Sequence, residues 1–318
     1  MEPPEPQRRY DDTWVLVPTY NESENLPGIA RAILERLPGA TLLVIDDASP
    51  DGTGELADGL AAGDSHVRVL HRPGKQGLGR AYVDGFRVAL DGGAGRIVQM
   101  DADWSHDPAY LPALLDPLDH GASLVIGSRY VRGGGVRDWG LARKVVSRGG
   151  SLFARIVLGL GVHDLTGGFK AWRRELLATI PWSGVHAGGY VFQIETTYLA
   201  TRLGARVAEV PIVFPDRRVG VSKMSRRIVV EALLVVLTLR WDEVRGRSLV
   251  AGTRAAEVAG GARPRVGARA AVDAPVATDG PRAAVDAAAA VDAPVAIDPV
   301  VGATMAGTSA SGTDRRAT

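Results

Sequence analysis

The sequence predicts an α/β protein, a mostly parallel sheet covered by helices, followed by a disordered C-terminal tail. From Thr13 to about Arg240, short apolar runs alternate with helix-length amphipathic segments. The runs are apolar throughout instead of at every second position, which is the pattern of strands buried on both faces. After Trp241 there is no aromatic residue, Leu249 is the only Leu, and AVDAPVA occurs at 271–277 and again at 290–296. Such a composition buries too little apolar surface to offset chain entropy. The expected division is a flexible 1–12, a folded domain over 13–244 and a low-complexity tail over 245–318.

The first strand is expected over Trp14–Val17, halted by Pro18, which cannot donate to a ladder. Asn21–Glu24 (NESE) then offers a capped start for a helix running toward Leu37. Thr41–Ile45 is a second strand ending at Asp46 and Asp47, and the turn Ser49–Thr53 leads into another helix. Val67–His71, Arg96–Met100 and Ser123–Gly127 read as further buried strands, with helices over 76–90 and 108–119. A strand over Val207–Phe214 precedes a basic loop and a last apolar helix.

Composition excludes several chemistries. The 318 residues contain no Cys, which removes disulfides, thiolate metal sites and Cys nucleophiles and leaves carboxylates and six His as metal ligands. A formal net charge of +1 argues against whole-chain attraction to nucleic acid. Met1–Asp12 carries three Pro, two Glu and two Asp with no apolar run, unlike a signal peptide, so a cytoplasmic location is expected. Ile228–Leu239, the most apolar stretch, is twelve residues interrupted by Glu231, short of the roughly 20 that span a bilayer.

Ligands of such sheets sit beyond the carboxyl ends of the strands. Those ends read Pro18-Thr19-Tyr20, Asp46-Asp47 and Asp101-Ala102-Asp103, so acidic residues converge at one edge. Asp101 and Asp103 leave one strand end together. Two hard oxygen ligands, with phosphates and water, suit Mg2+ or Mn2+, while a pair of solvated turn aspartates is the competing reading of this spacing alone. Asp46 and Asp47 read equally as a second metal pair, a capping turn, or acceptors for a base and ribose. Gly74–Gly79 has G-x-G spacing but lacks a Lys-Ser/Thr ending, so its glycines read as loop geometry. His106, His163 and His186 form no metal-binding pattern, and no paired Ser/His signal supports a nucleophile.

Between Arg129 and Arg155 lie seven basic residues against one acidic residue, Asp138, in a segment that also holds Val145, Val146, Leu152, Phe153, Ile156 and Val157. A basic rim beside an apolar face suits an anionic lipid head or membrane surface, and a solvated helix face is the plainer alternative. Arg217, Arg218 and Lys223 form a second basic cluster able to clamp phosphate oxygens.

Taken in order, the motifs PTYNESENL (18–26), VIDDASPDGT (44–53), GLGRAY (77–82), MDADWSHDP (100–108), GSRYVRGG (127–134), KVVSRGGS (144–151), DLTGGFKAWRR (164–174), GYVFQIE (189–195), EVPIVFPDR (209–217) and GVSKM (220–224) resemble the polyprenol- or dolichol-phosphate mannosyltransferases of glycosyltransferase family 2. The resemblance covers Trp14 to about Trp241. It implies a GT-A type, Rossmann-like fold and inverting transfer of mannose from GDP-mannose to a polyprenyl phosphate. It also implies that Pro18, Tyr20, Glu22, Ile45 and Asp47 line the guanosine and ribose side, and that Asp101, Ala102 and Asp103 hold a divalent metal, Mg2+ or Mn2+, at the diphosphate. Arg129, Arg148, Arg217 and Lys223 match positions around the phosphates, with Asp103, Arg129 and Arg148 closest to the chemistry. Ser105 stands where some relatives carry Gln, and Gly-Val-Ser-Lys-Met replaces a GSKM-like run. The chain is expected to attach peripherally to the cytoplasmic face of a membrane through apolar helices of 145–160 and 228–240, alone or with an anchoring partner protein. Transfer from UDP-glucose or another donor, and a catalytically silent nucleotide-sugar-binding scaffold, are the alternatives.

Overall fold

A computed structural model of the chain describes residues 10–185, 189–215 and 226–246. The expected tail from 247 on, the basic loop with Arg217, Arg218 and Lys223, and His186 lie outside the described residues. In chain order the elements are β1 (Thr13–Thr19), α1 (Leu26–Arg36), β2 (Thr41–Asp46), α2 (Thr53–Gly63), β3 (Val67–His71), α3 (Leu78–Asp91), β4 (Arg96–Gln99), α4 (Leu111–Asp119), β5 (Leu124–Ser128), β6 (Gly135–Val136), α5 (Leu141–Leu158), β7 (Lys170–Arg173), α6 (Arg174–Thr179), α7 (Gly189–Arg202), β8 (Val207–Pro211), β9 (Val213–Phe214) and α8 (Arg226–Val244).

Seven strands form one sheet in the order β3-β2-β1-β4-β7-β5-β8, and β6 pairs with β9 in a small parallel ribbon. Within the large sheet only β7 is antiparallel, inserted between β4 and β5. Successive strand residues point to opposite faces, so each apolar strand feeds two cores. Leu16, Ile45, Ile97 and Ile126 pack on one face against Tyr82 and Phe86 of α3, Ala154 and Leu158 of α5 and Phe192 of α7. On the other, Val15, Val17, Val44, Val98 and Val125 meet Ile29 and Ile33 of α1, Ala57 of α2 and Leu114 of α4. α8 packs on α5 and α7.

Three boundaries depart from the sequence expectation, each for a physical reason. Pro18 does not halt β1, which runs on to Thr19. Leu16 O accepts from Met100 N, so Leu16 and Pro18 face β4, and β1–β4 pairing ends at Leu16↔Gln99. The missing N–H of Pro18 therefore falls where β4 has already turned away. The NESE segment is not the cap of α1, which starts at Leu26 and makes no side-chain cap bond. Its amides are taken by the next loop instead: Asn21 N donates to Ser49 Oγ, Glu22 N to Thr53 Oγ1 and Ser23 N to Asp51 Oδ2. The expected strand over Val207–Phe214 is interrupted at Ile212, where the chain leaves β5 and starts β9 against β6.

Candidate active site

β1, β2 and β3 step across the sheet in one direction, and the chain then returns to place β4 on the far side of β1. Such a reversal opens a crevice beyond the carboxyl ends of the two flanking strands. The tips of β2, β1 and β4 are neighbours there, bringing together Asp46-Asp47, Pro18–Tyr20 and Asp101–Asp103. Asn21, Ala48 and Trp104, which follow these same three tips, adopt left-handed φ values of 61°, 55° and 62°. Non-glycine residues in that region carry strain, and such residues cluster where a site dictates the backbone.

Asp46 and Asp47 have separate tasks. Asp46 is buried as a structural acceptor, receiving Thr19 Oγ1 at 3.1 Å and Ser49 Oγ at 2.6 Å. Asp47 pairs with the guanidinium of Arg72, whose Nε reaches Asp84 Oδ2 at 3.0 Å and whose amide donates to Asp46 O. Burial raises the Asp47 pKa, and the bond and charge of Arg72 oppose the rise. Arg72 was absent from the expected site, although a cation in the loop after the third strand, beside an acidic strand end, was a usable signal.

Tyr20 lies half-buried with the Lys75 ammonium 3.5 Å from its ring centroid, and Glu22 Oε2 accepts from Asn25 Nδ2 at 2.8 Å. Pro18 is half-buried at the tip of β1. Ile45 does not present its side chain to the crevice. It is fully buried under α3, where a Cβ on Gly85 would lie 2.3 Å from Ile45 Cδ1, so only its backbone is near the site, with Ile45 O accepting a long bond from Thr19 Oγ1.

At the tip of β4, Asp101 Oδ1 accepts from Tyr82 Oη at 3.2 Å. Tyr82 is itself clamped between Phe86 and Phe192, and burial first, then the Asp101 charge, hold its pKa well above the ordinary value, so it stays a donor. Asp103 Oδ1 accepts from both the amide and the hydroxyl of Ser105. Ala102 and Asp103 are buried. Among the described residues no group of three His, Asp or Glu is gathered for a metal. Two oriented carboxylates fit a Mg2+ or Mn2+ site, because these ions keep several positions for water and phosphate oxygens.

Arg129 follows β5 and is enclosed by Tyr130, Trp139 and Phe214. Its Nε and Nη2 each donate to Asp164 at 2.7 Å, its amide donates to Asp164 Oδ2 at 3.0 Å, and Nη2 also reaches Thr166 Oγ1. Burial raises the Asp164 pKa, but the attraction and hydrogen bonds of Arg129 outweigh it and lower the net value. Glu209 of β8 supports the pair, accepting from the amides of His163 and Asp164. Neither Asp164 nor Tyr82 was singled out from sequence, although both stand inside the motifs DLTGGFKAWRR and GLGRAY.

Arg148 is exposed on α5, next to Ser147, which accepts from Tyr130 Oη, and its charge acts on that phenol together with Arg129. Leu141, Val145, Arg148, Leu152 and Ile156 follow at three- and four-residue spacing, so the cation interrupts an exposed apolar stripe. A second stripe, Val230, Leu234, Leu237, Trp241 and Val244, runs along α8. Among the described residues no helix is long and apolar enough to cross a membrane.

The class of protein, a glycosyltransferase, follows from comparison with known sequences. The chain belongs to glycosyl transferase family 2, whose profile matches residues 14–180. It is 49% identical over 247 residues to the polyprenol monophosphomannose synthase of Mycolicibacterium smegmatis, covering 77% of this chain and 92% of that protein. Over 236 residues it is 48% identical to the undecaprenyl-phosphate mannosyltransferase of Micrococcus luteus, covering 73% and 97%. Among solved structures, glucosyl-3-phosphoglycerate synthase from Mycobacterium tuberculosis in complex with Mn2+ and UDP-glucose shares the fold, with a TM-score of 0.53, 24% identity and coverage of 71% of this chain and 78% of that one.

Proposed function

We propose that the chain transfers mannose from GDP-mannose to a polyprenyl phosphate with inversion, giving β-mannosyl phosphoryl polyprenol and GDP. The carrying observation is the 48–49% identity to two enzymes named for mannosyl transfer to such lipids, extending over more than nine-tenths of each. The crevice geometry supports it.

In this reading Pro18, Tyr20, Glu22 and Asp47 receive the guanosine and ribose, with Ile45 contributing backbone and Arg72 holding the Asp47 carboxylate. Asp101 and Asp103 hold Mg2+ or Mn2+, with Ala102 between them. Bound there, the ion supplies positive charge against the diphosphate leaving group. The chain's own task is then to bring two anions together in line, which is a matter of orientation and electrostatics. Arg148, Arg217 and Lys223 carry that charge toward the phosphates. The Arg129 charge is met by Asp164, so Arg129 acts at the acceptor phosphate chiefly by shaping the floor of the site. A phosphate monoester, with a second pKa near 6, is already largely anionic at neutral pH. The acceptor therefore needs no strong general base.

The acceptor is lipid-bound, and the two apolar stripes with the basic residues of α5 suit peripheral attachment to an anionic membrane face. The test of donor and acceptor is transfer of radiolabelled sugar to polyprenyl phosphate by the purified chain with Mg2+ or Mn2+, offering GDP-mannose and UDP-glucose in parallel. Lipid-phase label from GDP-mannose alone is the expected result. Label from UDP-glucose instead overturns the donor and keeps the acceptor. No label from either donor, regained on adding a membrane fraction, transfers the membrane role to a partner protein.

A further inference from the structure

We propose that His106 is a positioning residue for the acidic pair, acting through the backbone of Asp101. The Asp101 amide donates to His106 Nδ1 at 2.9 Å. Asp101 is the first residue past the ladder at this point: β4 pairing with β7 ends at Gln99↔Lys170, and Met100 N is spent on Leu16 O. A partly buried amide with no strand to pair with needs an acceptor from elsewhere. Here a side chain five residues on returns to supply it, closing the segment 101–106 into a loop. Both carboxylates and the left-handed Trp104 lie within that loop.

The imidazole is held as firmly as the loop it closes. His106 is buried, stacked on Phe169 at 4.9 Å and 15°, and set edge-on to Phe214 at 5.5 Å and 76°. Phe169 O in turn accepts from Gly127 N, tying the ring to the strand that delivers Arg129. Gly168 passes close to the ring, since a Cβ there would sit in contact with it, 3.4 Å from His106 Cε1. Because Nδ1 accepts, the neutral ring carries its proton on Nε2. His106 is thus an uncharged acceptor beside two aspartates, fixing their direction without adding a countercharge. It is not a ligand and touches no reacting atom.

The inference rests on Asp101 and Asp103 being the metal pair, and two substitutions separate its parts. His106→Asn keeps an acceptor near the Nδ1 position and removes the ring, whereas His106→Phe keeps the stacked ring and removes the acceptor. Mn2+ binding to the full chain with GDP and, separately, with UDP present, whose phosphates complete such a site, followed by electron paramagnetic resonance, is the readout, alongside the metal dependence of sugar transfer. Positioning predicts that His106→Asn binds Mn2+ close to wild type. His106→Phe should bind roughly 10–100-fold more weakly, the usual cost of losing an outer-shell partner, with transfer recovering at high metal. The reverse ranking, equal losses, or no loss in either variant overturns the proposal. His106→Leu replaces His106→Phe if the larger ring prevents folding. Absence of Mn2+ binding by the wild-type chain would reject the metal-pair reading itself, and a wrong donor would leave the ranking unchanged.

Discussion

Arg129 and Asp164 form a buried bidentate pair, Nε and Nη2 each 2.7 Å from a different carboxylate oxygen. Removing one partner of such a pair leaves an uncompensated buried charge, costing about 3–5 kcal/mol. Asp164→Asn should therefore lower unfolding stability by about that amount at pH 7, measured by urea denaturation. The folded pKa of Asp164 lies below the ordinary aspartate value of 3.8, so the stabilisation is complete above that value and fades as pH falls through the folded pKa. The gap between wild type and Asp164→Asn should narrow in strong acid. An equal gap at every pH would contradict the assignment.

Lys170 is fully buried, donating to Gln193 O at 2.8 Å and Thr197 Oγ1 at 2.9 Å, and burial lowers its pKa from 10.5 to about 7. Between those values the unfolded chain holds a proton that the folded chain has lost. Stability from this group therefore rises with pH across that window, by at most about 1.4 kcal/mol per pH unit, and is flat below it. Lys170→Met should flatten the rise, as read from urea midpoints at pH 7, 8 and 9. An unchanged slope would contradict the burial of a neutral amine.

Helix α3 approaches the sheet at Gly85, where an added Cβ meets Ile45 Cδ1 at 2.3 Å and Leu16 Cδ2 at 3.0 Å. Gly85→Ala should cost about 1–3 kcal/mol through overpacking. Adding Ile45→Val, which removes the clashing methyl, should restore part of it as a favourable coupling. Additive losses in thermal unfolding would show that the two residues do not meet.

Leu152 and Ile156 are exposed on α5 beside Arg148. Replacing both with Asp should abolish flotation with anionic liposomes while leaving the unfolding temperature near wild type. Retained flotation would move membrane contact away from this stripe.

The sheet, its acidic edge and the positions of β1, β2, β4 and β5 were legible because buried strands leave continuous apolar runs such as Leu42–Ile45; β3 falls where expected but is an edge strand, with only Val67 buried. β7 was not legible, since Lys-Ala-Trp-Arg has no strand signature. Lys170 is accommodated in the sheet interior by the Gln193 carbonyl and the Thr197 hydroxyl on α7, which receive its amino group. Asp101 and Asp103 were visible as a spacing; Ser105 and His106 stand in the same motif, but nothing in their residue types shows that they bond back to Asp103 and to the Asp101 amide, and Tyr82 is brought to Asp101 by tertiary packing. The spacing of Arg129 likewise could not reveal Asp164, thirty-five residues on, as its partner.

Metal-dependent mannosyl transfer through the acidic pair at the tip of β4 is tested by comparing wild type with Asp103→Ala, using GDP-mannose, polyprenyl phosphate and titrated Mn2+. Label should enter the lipid phase with wild type, vanish on chelation and return with added Mn2+, while Asp103→Ala stays folded and inactive. Transfer by Asp103→Ala at the wild-type rate, or transfer by wild type that survives chelation, would contradict it.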